Sequence, residues 1–339
     1  MKILITGAAG FIGFHLVEKL VTEGHQIIGI DNINDYYDPE LKFSRLSECG
    51  IKRSEIRYAQ DVPSNLYKNY KFIQLDLANR KDCEKLFSDN KFDQVIHLAA
   101  QAGVRYSIEN PHAYIESNIV GFLHILEGVR QNNISRLIYA SSSSIYGNRE
   151  SVPFKEEDNV DKPISLYAAT KKSNELMAHT YSHLYNIQTI GLRFFTVYGP
   201  WGRPDMAPFI FAKNIIEEKS IKIFNHGNME RDFTYVSDII EGISKIANHP
   251  SKDEKYAVYN IGNSEPINLL NFIENIEQIL GKKAKKIFLP IPPGDVQKTF
   301  SDITKLQDDF NYKPDTKLND GLENFISWYK SYYKKNNKS

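Results

Sequence analysis

Tyr167 and Lys171 stand four residues apart in Ser165-Leu-Tyr-Ala-Ala-Thr-Lys171, so on a helix they share one face. A phenol is a poor base at neutral pH, because in water it releases its proton only near pH 10. An ammonium one turn away favours the phenolate, as does any further cation brought alongside. The pair is therefore a candidate acid–base device, with Tyr167 exchanging the proton and Lys171 supporting it. Upstream lies Ser141-Ser-Ser-Ser144, closing the apolar run Leu137-Ile-Tyr-Ala140. A hydroxyl at Ser142 can bond the same substrate oxygen and help carry its proton.

A proton relay of this kind needs an electron carrier, and the N-terminus offers a place for one. Gly7-Ala-Ala-Gly10-Phe-Ile-Gly13 follows directly on Lys2-Ile-Leu-Ile-Thr6. Gly7 allows a sharp turn, Gly10 lets backbone approach a pyrophosphate, and Gly13 lets the next helix pack closely. The free N–H groups that open that helix, with Phe11 and Ile12 on its first turn, suit phosphate. Asp31 ends the next apolar run, where a carboxylate accepts ribose hydroxyls and repels a 2′-phosphate, which favours NAD over NADP. Asn32 follows it. Asp76 and Leu77 end a third run and are candidates for the adenine edge, with a helix cap as the alternative role for Asp76. Leu98-Ala99-Ala100 supplies small residues against which a cofactor can lie, and Lys171 can also hold the nicotinamide ribose. His97, just before them, is expected to be a packed structural residue.

These residues must be positioned by the elements between them. Lys2–Thr6, Gln26–Ile30, Lys71–Leu75, Gln94–Leu98, Arg136–Ala140 and Thr189–Phe195 read as strands, mostly apolar on both faces. Phe11–Glu23, Lys81–Asn90, Pro111–Asn132 and Ser165–Tyr185 carry helical spacing. Such alternation predicts an α/β protein with a Rossmann-type, doubly wound parallel sheet. After Pro200 the elements shorten, predicting a smaller C-terminal α+β substrate domain that closes over the sheet's carboxyl edge. The expected division gives the NAD-binding domain residues 1–198 with a returning segment near 232–262, and the sugar-binding domain 199–231 and 263–335. The polar, Tyr-rich connection Asp31–Asn69 is too long for an ordinary loop and is either a functional insertion or a partly helical decoration.

Composition narrows the partners. The 42 basic and 42 acidic residues balance, so no global field draws in nucleic acid or an anionic membrane. Only two cysteines occur, Cys49 and Cys83, without metal-ligand spacing. No apolar run approaches the length needed to span a bilayer. The expected setting is the cytoplasm, with no metal, no membrane and no nucleic acid.

With these motifs in place the chain resembles the extended short-chain dehydrogenase/reductases of the nucleotide-sugar epimerase and dehydratase group, from Met1 to about Asp302. Within that group it is similar to UDP-glucuronate 4-epimerases, through Asp31-Asn-Ile-Asn-Asp-Tyr-Tyr-Asp38 with Leu41-Lys42, Ala100-Gln-Ala-Gly-Val-Arg-Tyr-Ser107, Tyr198-Gly-Pro-Trp-Gly-Arg-Pro-Asp-Met-Ala207 and Arg231-Asp-Phe-Thr-Tyr-Val236. The resemblance implies a tightly held NAD that oxidises the C4 hydroxyl of a UDP-sugar and then returns the hydride to its other face. It implies a diphosphate contact for Arg231, a nucleotide contact for Asp295, and a homodimer built on the helices 111–132 and 165–185.

The serine run separates outcomes within the group. Related 4,6-dehydratases carry an Asp-Glu pair after the catalytic hydroxyl, and related decarboxylases carry a glutamate at the position of Ser144. Ser143 and Ser144 are uncharged, and epimerisation needs neither acid. With Thr196 they can bond a C5 carboxylate without repelling it, and Arg203 is a candidate second anion contact. A 4-epimerase of UDP-glucose, UDP-N-acetylglucosamine or its uronate is the nearest rival. A non-catalytic NAD sensor is the alternative from another class, disfavoured by the intact Ser142, Tyr167 and Lys171.

Overall fold

The computed structural model describes residues 1–249 and 254–336. In chain order the first part runs β1 (Lys2–Thr6), α1 (Phe11–Thr22), β2 (Gln26–Asp31), α2 (Glu40–Glu48), β3 (Asp61–Pro63), β4 (Tyr70–Gln74), α3 (Arg80–Asp89), β5 (Gln94–His97), α4 (Tyr106–Glu109), α5 (Pro111–Tyr114), α6 (Gly121–Gln131), β6 (Arg136–Ser142), α7 (Leu166–Tyr185) and β7 (Gln188–Phe194). Then come β8 (Thr196–Tyr198), α8 (Ala207–Ile216), β9 (Ser220–Ile223), β10 (Glu230–Tyr235), α9 (Val236–Asn248), β11 (Tyr256–Ile261), β12 (Pro266–Asn268), α10 (Leu269–Leu280), β13 (Lys285–Phe288), α11 (Thr304–Phe310) and α12 (Leu318–Asn336).

The chain divides into two compact units. The first comprises Met1–Gly147, Asn159–Phe194 and Ile243–Tyr259. Its sheet has the order β11-β7-β6-β5-β1-β2-β4-β3. The strands from β7 through β4 run parallel, and only the short β3 is antiparallel to its neighbour. Chain order reverses between β1 and β5, the crevice where open α/β sheets bind ligands. The expected Rossmann-type, doubly wound sheet is what forms. The reason is burial on both faces: Ile3, Leu4, Ile5, Val95, Ile96, Leu137 and Ile138 have no exposed surface, because helices cover each side.

One segment differs from its sequence-level outline. The expected single helix Pro111–Asn132 is interrupted by a π-helical stretch, Ile115–Val120. The cause is a side chain entering the ladder: Asn174 Nδ2 donates to the backbone oxygen of Asn118 at 2.7 Å. The long connection after Asp31 is a partly helical decoration that supplies α2 and the edge strand β3.

The second unit comprises Asn148–Asp158, Phe195–Gly242 and the described residues from Asn260 onward. It has a three-stranded sheet, β12-β10-β8, and a parallel pair, β13-β9. Phe233 and Phe272 stack at 4.0 Å in its core. Asp232, fully buried, accepts from Asn263 N, Ser264 N, Ser301 N and Ser301 Oγ, which fixes two segments around β10. Among the described residues no helix is long and apolar enough to cross a membrane.

The N-terminal turn shows why glycine is required there. A Cβ on Gly13 would lie 2.1 Å from the backbone oxygen of Gly7, which cannot move without breaking the turn. Gly13→Ala is therefore expected to destabilise the protein by at least about 2 kcal/mol, the upper part of the overpacking range. Urea unfolding of the variant checks this, and a midpoint equal to that of the parent would contradict the close approach.

Candidate active site

The site grows from the end of β6 and the start of α7. Ser165 caps α7 by accepting from Ala168 N at 3.2 Å, which fixes where the helix begins. Because β6 and β7 are parallel, α7 between them runs back against both. Lys171, only 2 % exposed, donates from Nζ to the backbone oxygen of Ala140 at 2.9 Å. One turn toward the helix start, about 6 Å, stands Tyr167. Two residues on from Ala140, about 6.6 Å along the strand, stands Ser142. The register thus carries Tyr167, Lys171 and Ser142 to the same end of the sheet.

A second buried cation decides what Lys171 can do. Glu175 follows Lys171 by four residues and would ordinarily pair with it. Instead Arg193 of β7 takes both its oxygens, at 2.9 and 3.0 Å, and Ser141 Oγ donates to the first at 2.7 Å. Arg193 also donates to Tyr146 Oη at 2.8 Å. Among the described residues Lys171 therefore has no carboxylate partner, and burial holds its ammonium down to about 8. Its charge is therefore not taken up by Glu175.

Tyr167 is half-buried, with its ring edge-to-face against Tyr114 at 6.0 Å. Ser142, 7 % exposed, accepts from Ser144 N at 3.2 Å and donates to Ser144 Oγ at 3.1 Å. Ser143 and Ser144, half-buried, open the short 3₁₀ turn that follows β6. The turn presents hydroxyls and no charge.

Behind this pair sits a network that sequence reading missed. Asn118 accepts from Gln101 N at 2.8 Å and donates to Gln101 O and to Thr170 Oγ1, each at 3.0 Å. Thr170 in turn donates to the backbone oxygen of Tyr167 at 2.8 Å. The loop leaving β5 is thereby tied to the turn of α7 that carries Tyr167. An asparagine on the apolar face of the 111–132 pattern was the available signal.

The glycine turn fits a dinucleotide. Gly7 has φ +74°, and a Cβ on it would come within 2.9 Å of Ala99 N, so the turn and the Leu98-Ala99-Ala100 stretch lie backbone to backbone. Helix α1 starts at Phe11, Ile12 and Gly13 with no side-chain cap at Gly10, which leaves its first N–H groups for an anion. Asp31, 8 % exposed, accepts from Ala9 N at 3.2 Å and Ile33 N at 2.8 Å. Lys42 of α2 brings its ammonium to 3.6 Å from Asp31. Arg45, with no exposed surface, donates to the Ala9 oxygen at 2.9 Å. These two cations of the long insertion were not expected at the ribose corner.

Asp76 accepts from Asn32 Nδ2 at 3.3 Å and from Ala78 N at 2.9 Å, with Leu77 buried beside it. The cap of α3 is Asn79, so Asp76 is not a helix cap. His97 is the packed residue expected. Thr6 Oγ1 accepts from Ala99 N and lies 2.8 Å from His97 Nδ1, and burial followed by the Lys171 charge pushes the imidazole down to about 3.

On the second unit, Thr196 opens β8 opposite Phe233. Arg203 is engaged by Asp205, two residues on. Arg231 donates to the backbone oxygens of Glu230, Val296 and Gln297, and so holds the loop that carries Asp295.

Comparison with known proteins follows this geometry. A model of the NAD dependent epimerase/dehydratase family matches residues 3–262. Protein CapI of Staphylococcus aureus is 53 % identical, covering 99 % of this chain and 100 % of that one. UDP-glucuronate 4-epimerase 2 of Arabidopsis thaliana is 42 % identical over 100 % of this chain and 78 % of its own. Among solved structures, the UDP-glucuronic acid 4-epimerase of Bacillus cereus, in complex with UDP-glucuronic acid and NAD, superposes with TM-score 0.88 at 36 % identity, covering 98 % of this chain and 100 % of that one.

The lowered Lys171 value has a testable sign. The folded protein binds that proton less tightly than the unfolded chain, whose lysine titrates near 10.5. The buried charge therefore costs stability below about pH 8, and the cost fades as pH rises from about 8 to 10.5. In cofactor-free protein, Lys171→Met is expected to melt above the parent at pH 7, with the gap narrowing by about pH 10, while turnover falls at least about a hundredfold. A melting difference that does not change with pH would sink the desolvation account.

Proposed function

The chain belongs to the NAD-dependent epimerase/dehydratase family, and from that premise we propose that it interconverts UDP-glucuronate and UDP-galacturonate by inversion at C4. The observation that carries the reading is the uncharged serine turn, Ser142 to Ser144, at the strand end that Tyr167 and Lys171 face. The names of the Arabidopsis and Bacillus relatives support the same sugar.

NAD, when bound, takes the C4 hydride and returns it. In this proposal Tyr167 removes the proton from the C4 hydroxyl and later gives it back. The Lys171 ammonium favours the phenolate form that makes the first step possible. Ser142 hydrogen-bonds the same oxygen and keeps it oriented. Ser143, Ser144 and Thr196 bond the C5 carboxylate, Arg231 and Arg203 take the diphosphate, and Asp295 takes the nucleotide. Gly7, Gly10, Phe11, Ile12, Gly13, Asp31, Asn32, Asp76, Leu77 and Leu98 to Ala100 hold the cofactor.

The 4-keto-uronate is a β-keto acid and loses CO₂ readily when its carboxylate bond stands perpendicular to the carbonyl plane. The proposed hydroxyl contacts hold the carboxylate away from that angle while the ring turns over. The reading also includes a cytoplasmic setting, supported by the two unpaired, buried cysteines. It includes a homodimer, supported by large apolar side chains exposed on one run of helices: Ile115, Leu123, Leu176, Leu184 and Tyr185.

Purified protein given UDP-glucuronate, without added NAD, is expected to form UDP-galacturonate and no UDP-pentose, with Thr196→Val raising the pentose share. Turnover of UDP-glucose or UDP-N-acetylglucosamine alone would overturn the sugar assignment. For the dimer, light scattering is expected to give twice the chain mass, and Leu176→Lys with Leu184→Lys to halve it. A parent protein of single-chain mass would refute that part.

A further inference from the structure

Two loops that leave the strands on either side of β1 meet through their aromatic side chains. β2 and β5 flank β1 in the sheet, so the chains leaving them emerge on either side of the turn that leaves β1. The β2 loop carries Tyr36, and the β5 loop runs through Gly103 into Tyr106 at the head of α4. The rings of Tyr36 and Tyr106 lie 4.7 Å apart, tilted by 44°. Gly103 has φ +110°, and a Cβ on it would come within 2.9 Å of the Tyr36 hydroxyl, so the hydroxyl end of Tyr36 lies against bare backbone. The β5 loop is itself braced from below: Tyr114, with no exposed surface, donates to the oxygens of Gly103 and Ala102, and Asn118 holds Gln101. Tyr106 lies 6.2 Å from Tyr114, which packs on Tyr167, so one row of rings runs from the insertion to the acid–base residue.

We propose that Tyr36 and Tyr106 form a closure across the pyrophosphate of the bound dinucleotide and retain it. The inference rests on the NAD part of the functional reading and is independent of which sugar is turned over. A dinucleotide with its adenosine ribose at Asp31 and its nicotinamide near Tyr167 runs from the end of β2 to the end of β6. Such a dinucleotide would span the strand ends that the two loops bridge. The chemistry gives the closure a purpose. Inversion without net redox change requires the coenzyme that took up the electrons to be the one that gives them back. Loss of reduced coenzyme between the two half-reactions would leave a ketone and a dead enzyme. The contact is made by side chains rather than by regular structure, so removing one ring unlatches it without dismantling the sheet.

The test is exchange of the NAD that copurifies with the protein against excess isotopically labelled NAD, followed by mass spectrometry of the bound fraction. Tyr36→Ala and Tyr106→Ala are each expected to speed exchange by about tenfold, the scale of one lost aromatic pair. The double variant is expected to gain little more, because both changes break one contact, and Tyr36→Phe is expected to exchange at the parent rate. Melting points of the cofactor-free variants are read alongside and are expected to match the parent. Exchange within twofold of the parent in Tyr36→Ala overturns the proposal, as do rate increases that multiply in the double variant. Faster exchange accompanied by a large fall in the cofactor-free melting point also overturns it, by making the effect general loosening. None of these readings uses a sugar, so failure of the glucuronate assignment leaves the outcome unaffected.

Discussion

An ammonium sealed inside the fold without a counter-charge is the constraint around which the rest is arranged. Lys171 has a carboxylate one helical turn away, and a direct pair with Glu175 would satisfy both groups. It would also neutralise the charge that the proposed phenolate draws on. Arg193, reaching in from β7, removes that option by occupying both oxygens of Glu175. The ion pair of Arg193 and Glu175 is nearly dry, at 3 % and 1 % exposure, and such pairs add little net stability. Its value here is electrostatic bookkeeping of a local kind: one buried anion is matched to one buried cation, and the second cation stays available.

How far this was legible in the amino-acid order depends on the range of the interactions. The strands were legible because six of them are apolar on both faces, and a run such as Ile3-Leu4-Ile5 has few other homes. The glycine turn and the Tyr167–Lys171 spacing are local patterns, and they read out directly. The interruption at Ile115–Val120 was not legible, since its cause is Asn174, far along the chain. The same holds for Lys42 and Arg45: nothing in the sequence says that α2 folds its cations back onto the Asp31 corner. For Asp76 the alternative role of helix cap falls to Asn79, three residues on.

The two units manage buried polarity by the same rule. In the first, the side-chain amide of Asn118 serves Gln101 and Thr170 at once, so one amide ties a loop and a helix together. In the second, Asp232 gathers donors from two stretches of chain, at Asn263–Ser264 and at Ser301. Each group would cost stability if left unsatisfied, and each therefore fixes the position of its partners more tightly than apolar packing would. Catalytic geometry inherits that rigidity, since Thr170 holds the backbone oxygen of Tyr167 itself.

Asp31 carries a lesson for anyone who would re-engineer redox carriers. Its carboxylate grips the amides of Ala9 and Ile33, so it braces the glycine bend whatever part it takes in the proposed recognition of ribose. Swapping it for a smaller residue to admit a phosphorylated carrier would leave Lys42 on Asn34 alone and simultaneously slacken the bend. Selectivity and scaffold are welded at that one side chain, and a change of carrier preference demands a rebuilt turn rather than a single edit.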